Sequence, residues 1–579
     1  MLVGTTTLSH PAGATTTLTV DLSSTIRPVT HAAAGSLYGV LEKLPADVND
    51  LIAPLHPSVL NNPAAVGSDK QQPVGDAIVV AGRVASIGAK VTIRLADWFP
   101  GWYSFTDMND WFDKIGQTVS RKQASGQGNY YGYEIWNEPD GTWHNAMAFN
   151  DFWKQTYAKL RQLDPTAKLI GPSLSSFNSA SLKDFLSFAK SNNCLPDIVC
   201  WHELSGADLT ANFQSYRALE KQLGIDPLPI TINEYSGKAM LDDEGKPGAS
   251  APMVAKFERF QVDSACISYW DDAHPGRLGS LLANDTATNG GWWFYKWYGD
   301  MRGTMVSTSP PSAADATALD GFANLDAAAA TASVLFGGVN DGAVQVIVKG
   351  FKSASLGSTI HAVVEHTPWK SRTTVVTATD TVSSADLPVA SDQITVTVSG
   401  TNNTDGYRLL LTSLGGGTGG ATGAGGNGAT GGSAGVDAAT DSGLGGGSGG
   451  GSGGVSGAGG SGSSGSGGAV ASGGAVASGG AGNGGATGSG GGRTASGGSK
   501  GSGGNGDASA ATSNGGSTGT PKNSSSSGCS CGVGHRSDNS DSSDHSLPAM
   551  LFLLAWTLCR RFLWRGRHDG AKPLALSRR

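Results

Sequence analysis

Two short segments of this sequence each carry a glutamate at the end of an apolar run rich in β-branched and aromatic residues. The first reads Ile-Trp-Asn-Glu-Pro and contains Glu138, and the second reads Ile-Asn-Glu-Tyr and contains Glu234. A pair of carboxyl groups at strand ends can cleave a glycosidic bond, because one protonates the leaving oxygen while the other attacks the sugar or activates water. The pair therefore predicts glycosidase chemistry, with Glu138 and Glu234 as the candidate catalytic residues.

The neighbours of Glu138 indicate how its side chain would be presented. Pro139 cannot donate a hydrogen bond to a strand ladder and favours an extended backbone at the preceding residue, so we expect the strand to end with Glu138 extended at its edge. Asn137 can form a hydrogen bond with a sugar hydroxyl at the same place. The alternative role for Glu138 is structural, as a helix cap or as the partner of an arginine.

Eight strand-like segments, separated in most places by helical patterns, are expected to position these residues. They cover residues 36–40, 58–60, 90–96, 131–138, 167–173, 197–203, 229–234 and 266–270. Many are continuous apolar runs, which is typical of parallel strands buried on both faces. The alternation predicts an α/β fold, a (β/α)8 TIM barrel over residues 31–310, in which the carboxyl ends of the strands line the active site. Glu138 would end the fourth strand and Glu234 the seventh.

Seven further side chains at or just after strand ends are candidates for substrate contact: Asn137, Arg94, His202, Tyr235, Trp98, Trp143 and Trp270. Arg94 lies within an apolar strand and needs a partner there, which a catalytic carboxylate or a structural salt bridge would supply equally well. A single strand histidine such as His202 is often a core residue, and a tryptophan is more often core material than a sugar platform. Glu134 and Glu203 are rival carboxylates.

The rest of the chain divides by composition. Residues 1–30 form an N-terminal extension with a strand at 17–22 that could join a later β-domain. Residues 311–414 show short alternating strands, including one at 373–378, and predict a small β-sandwich. Most of the 87 glycines lie in residues 415–528, where a Gly/Ser-rich composition predicts a disordered linker. Residues 529–579 combine a Cys motif, an apolar run at about 547–564 and a basic tail, which predict a transmembrane or sorting segment.

Charge and cysteine content narrow the possible partners. A net charge of −7 without a basic stripe argues against nucleic-acid binding. None of the six cysteines falls in a CxxC pair with metal spacing, so a structural zinc site is not expected. Chemistry with two carboxyl groups needs no metal or organic cofactor. A disulfide among Cys194, Cys200 and Cys266 and three buried free thiols are both open.

The segments around Glu138 and Glu234, together with His202 and Trp270, resemble clan A glycoside hydrolases, closest to family 39, over about residues 35–300. The resemblance implies that Glu138 is the acid/base and Glu234 the nucleophile. It also implies a carbohydrate substrate, no cofactor, and a reaction that retains anomeric configuration through a covalent intermediate. The alternatives are a non-catalytic carbohydrate-binding surface protein and a transglycosylase, which would use the same residues.

The tail resembles the C-terminal sorting signals of myxobacterial surface proteins, with a Gly/Ser tether, a Cys motif, a short apolar segment and an arginine cluster. This likeness implies export and anchoring at the membrane or cell surface. Residues 1–16 contain no Lys or Arg and no continuous apolar run, so they do not read as a signal peptide. An in-frame upstream extension or a non-standard export route is therefore expected.

Overall fold

The computed structural model describes residues 16–100, 103–204, 208–268 and 275–414. The first strand, β1 (Thr16–Pro28), precedes a set of eight short strands. These are β2 (Gly35–Ser36), β3 (Val59–Pro63), β4 (Lys90–Arg94), β5 (Tyr130–Glu134), β6 (Leu169–Leu174), β7 (Ile198–Trp201), β8 (Ile230–Tyr235) and β9 (Ser264–Ile267). Each of the eight overlaps one of the segments predicted from the sequence.

The eight strands form one sheet in the order β2-β9-β8-β7-β6-β5-β4-β3, and every neighbouring pair is parallel. A parallel bridge between Leu37 and Asn61 joins the two edges, and the Tyr38 amide donates to the Asn61 carbonyl at 2.9 Å. The edges of the sheet are thereby closed. The predicted α/β fold with a barrel-like sheet is confirmed.

Helices follow most of the barrel strands. They are α1 (Ala77–Val84), α2 (Met108–Ala124), α3 (Pro139–Thr142), α4 (Phe149–Leu163), α5 (Ser179–Ser191), α6 (Leu209–Leu223), α7 (Pro247–Arg259) and α8 (Gly290–Asp300). Five of them begin after an Asp or Asn whose side chain accepts a backbone N–H of the first turn: Asp76, Asp107, Asn178, Asp208 and Asn289. Such caps satisfy amides that have no partner within the helix and so fix where each helix starts.

Large aromatic side chains fill the layer between strands and helices. Trp201 of β7 packs against Phe213 and Tyr216 of α6, with ring centroids 5.7 and 5.3 Å apart. Trp153 of α4 lies against Gly171 of β6, where a Cβ atom would stand 2.4 Å from the indole ring. Only glycine allows this close approach. These contacts hold the helices on the barrel and leave the opposite strand faces to line its interior.

A second sheet follows the barrel. Its further strands are β10 (Thr304–Ser309), β11 (Asp320–Asp326), β12 (Thr331–Gly337), β13 (Ala343–Lys349), β14 (Thr359–Thr367), β15 (Asp380–Pro388), β16 (Gln393–Ser399) and β17 (Gly406–Ser413), with a short helix α9 (Phe351–Ala354). Pairing runs through nine strands in the order β15-β14-β17-β12-β11-β10-β1-β13-β16. β1 pairs with β10 and β13, which confirms that the N-terminal strand joins the β-domain. Alternate residues from both ends of the sheet share one hydrophobic core.

The structure corrects two sequence predictions, the end of the barrel and a strand of the β-domain. β1 and β10 belong to the second sheet, so the barrel occupies about residues 31–300 rather than 31–310. The strand predicted at 373–378 is wrong. The Val376 amide donates to the Thr288 carbonyl at 2.9 Å, and the Val376 carbonyl accepts from Trp293 Nε1 at 2.7 Å. This segment is therefore tied to the start of α8, and the strand begins only at Asp380.

Two further sequence predictions concern the cysteines and the tail. Cys194, Cys200 and Cys266 are buried free thiols. The predicted linker at 415–528 and the segment at 529–579, with its apolar run at 547–564, lie outside the described residues. Within the described ranges, no helix has the length and hydropathy needed to cross a membrane.

Helix α7 connects the barrel to the second sheet through buried charges. Lys256 Nζ lies 3.1 Å from Asp320 Oδ2 of β11, with both side chains fully buried, and Arg259 Nη2 donates to Asp320 Oδ1 at 2.7 Å. Arg27 of β1 donates to Glu258 Oε2 from Nε at 3.0 Å and from Nη2 at 2.8 Å. Breaking a buried pair leaves an uncompensated charge, so these clusters fix how α7 packs on the sheet.

Replacing Asp320 with asparagine is expected to lower the free energy of unfolding by about 3–5 kcal/mol, because Lys256 would stay buried without its charge partner. The matched control is Asp285→Asn, which removes an exposed partner of Arg277 and should cost less than about 1 kcal/mol. Urea unfolding followed by tryptophan fluorescence measures both. Equal effects of the two substitutions would contradict the role given to Asp320.

Candidate active site

Glu138 lies just beyond β5 in a left-handed backbone conformation, with φ 50° and ψ 54°. The extended conformation predicted from Pro139 is therefore wrong. Four hydrogen bonds override that local preference. The Glu138 amide donates to the Ser173 carbonyl at 2.8 Å. The Glu138 carbonyl accepts from the amides of Gly141 and Thr142 at 2.9 and 2.8 Å and from the Thr142 hydroxyl at 2.9 Å. Backbone strain of this kind clusters at functional sites.

The Glu138 side chain does not have the structural role that the sequence left open. Glu138 stands at the N-terminus of α3, but its side chain makes no capping hydrogen bond there. Its Oε1 lies instead 3.0 Å from Nδ1 of His202, which follows strand β7. The carboxyl group is thus held from the end of β7, two strands away in the sheet, and remains partly exposed.

Arg94 joins the second candidate carboxylate to the barrel interior. Its Nη1 donates to Glu234 Oε1 at 2.9 Å, and its Nε donates to Glu134 Oε2 at 2.9 Å. Arg94 thus contacts the candidate catalytic carboxylate Glu234 and also forms a buried salt bridge with Glu134. Asn61 Nδ2 also donates to Glu134 Oε2, at 2.8 Å. Glu134 is therefore the buried counter-ion of Arg94 rather than a rival for the chemistry.

The charge of Arg94 is well supported. Burial by itself would lower the pKa of Arg94, but Glu134, the hydroxyl of Tyr38 and Glu234 hold it well above its usual value. The guanidinium therefore stays protonated beside Glu234. A positive charge in hydrogen-bond contact favours the ionised form of a carboxyl group.

His202 lies between the two candidate catalytic residues. Its Nδ1 is 3.0 Å from Glu138 Oε1, and its Nε2 is 3.8 Å from Glu234 Oε1. One carboxyl oxygen of Glu138 lies within 4.8 Å of one of Glu234. Burial lowers the pKa of His202, yet the charge of Glu234 and the hydrogen bond to Glu138 outweigh it and raise the pKa above its usual value. The structure thus brings together Glu138, His202 and Glu234.

A polar cluster formed by Tyr38, Asp97, Tyr103 and Asn137 adjoins the carboxyl groups of Glu138 and Glu234. The Tyr38 hydroxyl donates to Asp97 Oδ2 at 2.6 Å and accepts from Arg94 Nη1 at 3.2 Å. Asn137 Nδ2 donates to the Tyr103 hydroxyl at 2.9 Å. Burial raises the pKa of Asp97 to about 7, against the attraction of Arg94. Among the described residues, Asp97 Oδ1 and Asn137 Oδ1 are buried acceptors without a hydrogen-bond partner.

Of these four residues, Asn137 is predicted from the sequence as a site residue, whereas Tyr38, Asp97 and Tyr103 are not. A signal for Asp97 was present, because it follows the apolar strand that carries Arg94, as Glu138 follows its own strand. Tyr38 falls in the strand predicted at 36–40, which in the structure ends at Ser36, and Tyr103 stands in a loop whose path no sequence pattern defined. Their contacts depend on the closure of the barrel and cannot be read from local sequence.

Glu203 is the other rival carboxylate, and its side chain forms hydrogen bonds on the helix side of the barrel. Its Oε1 accepts from Trp201 Nε1 at 2.7 Å and from Asn212 Nδ2 of α6 at 3.0 Å. Burial raises the pKa of Glu203 to about 7, although these two hydrogen bonds oppose the shift. Only its backbone reaches the site, since its amide donates to the Glu234 carbonyl at 2.9 Å.

Tyr235 is not brought into the site. Its hydroxyl donates to the Ala33 carbonyl at 2.7 Å and lies 2.6 Å from the Tyr295 hydroxyl, and its ring packs edge-on against Phe257 of α7. Successive strand residues point to opposite faces, so Tyr235 faces the helices when Glu234 faces the site. The predicted substrate contact of Tyr235 is therefore replaced by a packing role.

Two of the predicted tryptophans, Trp98 and Trp143, lie in the described residues, where they are half-buried and pack against the core of the barrel. Trp98 Nε1 donates to Thr118 Oγ1 of α2 at 2.7 Å. Trp143 packs in an aromatic cluster, with ring centroids 4.4 Å from Phe152 and 4.9 Å from Trp136. Their indole rings are thus engaged within the protein. Trp270 lies outside the described residues.

Two groups of described side chains bring three potential metal ligands within 4.8 Å of one another. One group is Glu138, His202 and Glu234, and the other is Glu134, Cys200 and His202. Arg94 donates to a glutamate of each group, to Glu134 Oε2 in one and to Glu234 Oε1 in the other.

Several known proteins are similar to this chain in sequence or structure. The structure of N2152 from Neocallimastix frontalis is 49% identical in sequence, with a TM-score of 0.68 over 69% of this chain and all of that one. Two curated relatives are 3-O-β-L-arabinopyranosyl-α-L-arabinofuranosidase of Bifidobacterium pseudocatenulatum, 27% identical, and 3-O-α-D-galactosyl-α-L-arabinofuranosidase of Bifidobacterium longum subsp. longum, 28% identical. Each matches 68% of this chain. No model of a known protein family matches the sequence.

The curated homologues of this chain are thus glycoside hydrolases. Because the chain matches N2152 along the whole of that protein, it belongs to the same protein family as N2152. The chain spans less than half the length of the two curated relatives, 47% of one and 40% of the other.

The raised pKa of Asp97 predicts a pH-dependent contribution to stability. A carboxyl group whose pKa rises from 3.8 to about 7 on folding stabilises the protein below pH 3.8, and that contribution is lost as the pH rises through 7. Asp97→Asn should therefore abolish a loss of about 2–3 kcal/mol between pH 5 and pH 8. Urea unfolding of both proteins at the two pH values measures this. An unchanged pH dependence in the variant would contradict the assignment, and Asp285→Asn is the surface control.

Proposed function

We propose that this protein is a retaining glycoside hydrolase, with Glu234 as the nucleophile and Glu138 as the general acid and base. The observation that supports this most is the approach of the two carboxyl groups, which have oxygens within 4.8 Å of each other. Retaining enzymes hold their two carboxyl groups about 5–5.5 Å apart, whereas inverting enzymes leave about 6.5–9.5 Å for a water molecule. The spacing favours direct attack by one carboxylate on the sugar.

In the first step, an oxygen of Glu234 attacks the anomeric carbon and forms a covalent bond to it, while the bond from that carbon to the leaving oxygen breaks. The proton of Glu138 goes to the leaving oxygen. The position of Arg94 supports Glu234 as the nucleophile and Glu138 as the acid. Arg94 Nη1 lies 2.9 Å from Glu234 Oε1, and its positive charge favours the ionised form of that carboxyl group.

In the second step, Glu138 is a carboxylate and takes a proton from water, whose oxygen attacks the anomeric carbon and releases Glu234. His202 accompanies Glu138 through both steps, because its Nδ1 is 3.0 Å from Glu138 Oε1. A ring N–H there donates to the carboxylate form, whereas a deprotonated Nδ1 accepts from the acid form. His202 is thus a positioning residue for the acid/base.

The polar cluster beside the carboxylates suits sugar hydroxyls. Asp97 Oδ1 and Asn137 Oδ1 are buried acceptors without partners among the described residues, and an unsatisfied buried acceptor is costly. A bound hydroxyl would satisfy each of them. We therefore assign Asp97 and Asn137 to recognition of the glycone.

Both curated relatives carry names of α-L-arabinofuranosidases that act on an arabinofuranosyl unit with a sugar at O3. We extend that substrate class to this chain as a proposal and expect an α-L-arabinofuranosyl glycone. The assignment to clan A, closest to family 39, belongs to the same proposal. It rests on the segments around Glu138 and Glu234.

Export and surface attachment remain part of the proposal and rest on sequence alone. The Gly/Ser-rich region at 415–528 and the apolar run at 547–564 favour a tethered enzyme that acts on external carbohydrate. Fractionation of producing cells, with and without residues 529–579, tests this. Soluble protein in both cases would contradict anchoring.

Glu138→Gln should lower turnover of an aryl α-L-arabinofuranoside about 10²–10⁴-fold, because the second step loses its base. Azide should restore turnover and form a glycosyl azide of retained configuration, since azide attacks the intermediate without base assistance. Glu234→Gln should be inactive and unresponsive to azide. Rates with azide, and NMR of the product anomer, measure these outcomes.

Glu203→Gln is the matched control, because Glu203 bonds to α6 and should keep most of the turnover when it is replaced. Loss of activity in Glu203→Gln alone would overturn the assignment. Sugar binding without turnover in the wild type would favour the carbohydrate-binding protein. Transfer to an added sugar in preference to water would favour the transglycosylase.

A further inference from the structure

We propose that Thr142 is a positioning residue for the acid/base, and that its hydroxyl group fixes the backbone turn from which the Glu138 side chain extends. The claim that Thr142 holds this turn depends only on the geometry of residues 136–142. Its consequence for turnover rests on the proposed glycosidase function.

The Thr142 hydroxyl has three hydrogen-bond partners among the described residues, and all of them lie in the segment that carries Glu138. Its oxygen accepts from Trp136 Nε1 at 2.9 Å. Its proton is directed at two backbone carbonyls, that of Asn137 at 2.7 Å and that of Glu138 at 2.9 Å. One side-chain group thus joins three consecutive residues, and two of them belong to the candidate site.

The polarity of these hydrogen bonds defines the orientation of the Thr142 hydroxyl. An indole N–H can only donate, so the Thr142 oxygen accepts from Trp136 and its one proton is left for the carbonyls. Trp136 is completely buried, and its ring centroid lies 4.9 Å from that of Trp143 and 5.3 Å from that of Phe152. The indole is therefore a fixed reference point in the aromatic core, and Thr142 connects Glu138 to it.

The left-handed backbone of Glu138 needs such support. Its φ of 50° and ψ of 54° are costly for a residue with a side chain. The carbonyls of Asn137 and Glu138 belong to the peptide groups before and after the Glu138 Cα atom. A donor shared between them restrains both backbone dihedral angles of Glu138, and these angles aim its side chain at His202 Nδ1, 3.0 Å away.

The outer side of the same turn is attached to the end of β6. Asp140 accepts from the Ser175 amide at 2.9 Å and from the Ser175 hydroxyl at 2.7 Å. The Glu138 amide donates to the Ser173 carbonyl at 2.8 Å. These contacts determine where the turn lies on the barrel, whereas the Thr142 hydroxyl determines its internal shape. Loss of the hydroxyl should therefore reorient the Glu138 side chain without detaching the turn.

Crystal structures of the full chain carrying Thr142→Val or Thr142→Ser test the geometric claim. Valine has the shape of threonine without the hydroxyl, whereas serine keeps the hydroxyl. In Thr142→Val the Glu138 side chain should leave its 3.0 Å contact with His202, and in Thr142→Ser the contact should persist. An unchanged Glu138 in Thr142→Val overturns the proposal, whatever the activity of the protein.

The consequence is measured as kcat/KM on two aryl α-L-arabinofuranosides that differ in their leaving group. Thr142→Val should lower kcat/KM about 10–100-fold on the phenyl glycoside, because a displaced acid protonates the leaving oxygen poorly. The dinitrophenyl glycoside should lose much less, since its leaving group departs without a proton. Thr142→Ser should keep most of the activity on both. An equal loss on the two substrates would indicate a general structural defect and contradict the positioning role.

Thr156→Val is the matched control. Thr156 of α4 is completely buried, and its hydroxyl accepts from Trp111 Nε1 at 2.8 Å, so the substitution removes the same type of hydrogen bond between two helices. The ratio of kcat/KM for the two substrates should stay at the wild-type value in this variant. A displaced Glu138 in Thr142→Val, in a protein without glycosidase activity, supports the positioning role and contradicts the proposed function instead.

Discussion

Arg94 carries a positive charge into the interior of the barrel, where only 1% of its surface is exposed. Its guanidinium contacts carboxylates from two strands, Glu134 of β5 and Glu234 of β8. A buried charge is tolerated only with such partners, and the loss of Arg94 would leave two carboxylates without their shared positive partner. The polar interior is therefore organised around one side chain. A substitution of Arg94 would remove the positive charge from both Glu134 and the candidate nucleophile Glu234.

The same charge influences which neighbouring groups hold protons. One guanidinium faces several carboxyl groups, and burial makes it costly for all of them to ionise at once. Burial raises the pKa of Asp97 to about 7, and the two glutamates raise that of His202 although burial opposes them. A carboxyl group that exchanges its proton near neutral pH and a histidine with a raised pKa thus stand beside a glutamate in contact with a permanent positive charge. Acid–base chemistry with two carboxyl groups needs such a separation of roles.

Much of this arrangement could be predicted from the sequence, because it follows from periodicity. Apolar runs of strand length, separated by helical patterns, specify eight parallel strands, and a glutamate at the end of the fourth and of the seventh must then share one rim of the barrel. The same alternation would also have placed Tyr235 opposite Glu234, had it been applied residue by residue. The orientation of Tyr235 away from the site could therefore have been predicted from the sequence.

What the sequence could not predict depends on contacts between distant segments. The left-handed backbone of Glu138 opposes the preference imposed by Pro139, and hydrogen bonds with Ser173 and Thr142 decide the outcome. Trp143 was a candidate for sugar contact, and in the structure its indole ring packs against Trp136 and Phe152. In each case a local rule competes with a tertiary contact, and the tertiary contact wins.

The second sheet has a structural reason to accompany the barrel. Strand β8 carries Glu234 and leads into α7, and Tyr235 packs against Phe257 of that helix. The last turns of α7 are in turn held from outside, where Lys256 pairs with Asp320 of β11 and Glu258 with Arg27 of β1. The sheet therefore supports the helix against which the strand of the candidate nucleophile rests. Because β1 is drawn from the N-terminus and β11 from beyond the barrel, both ends of the described chain contribute to that support.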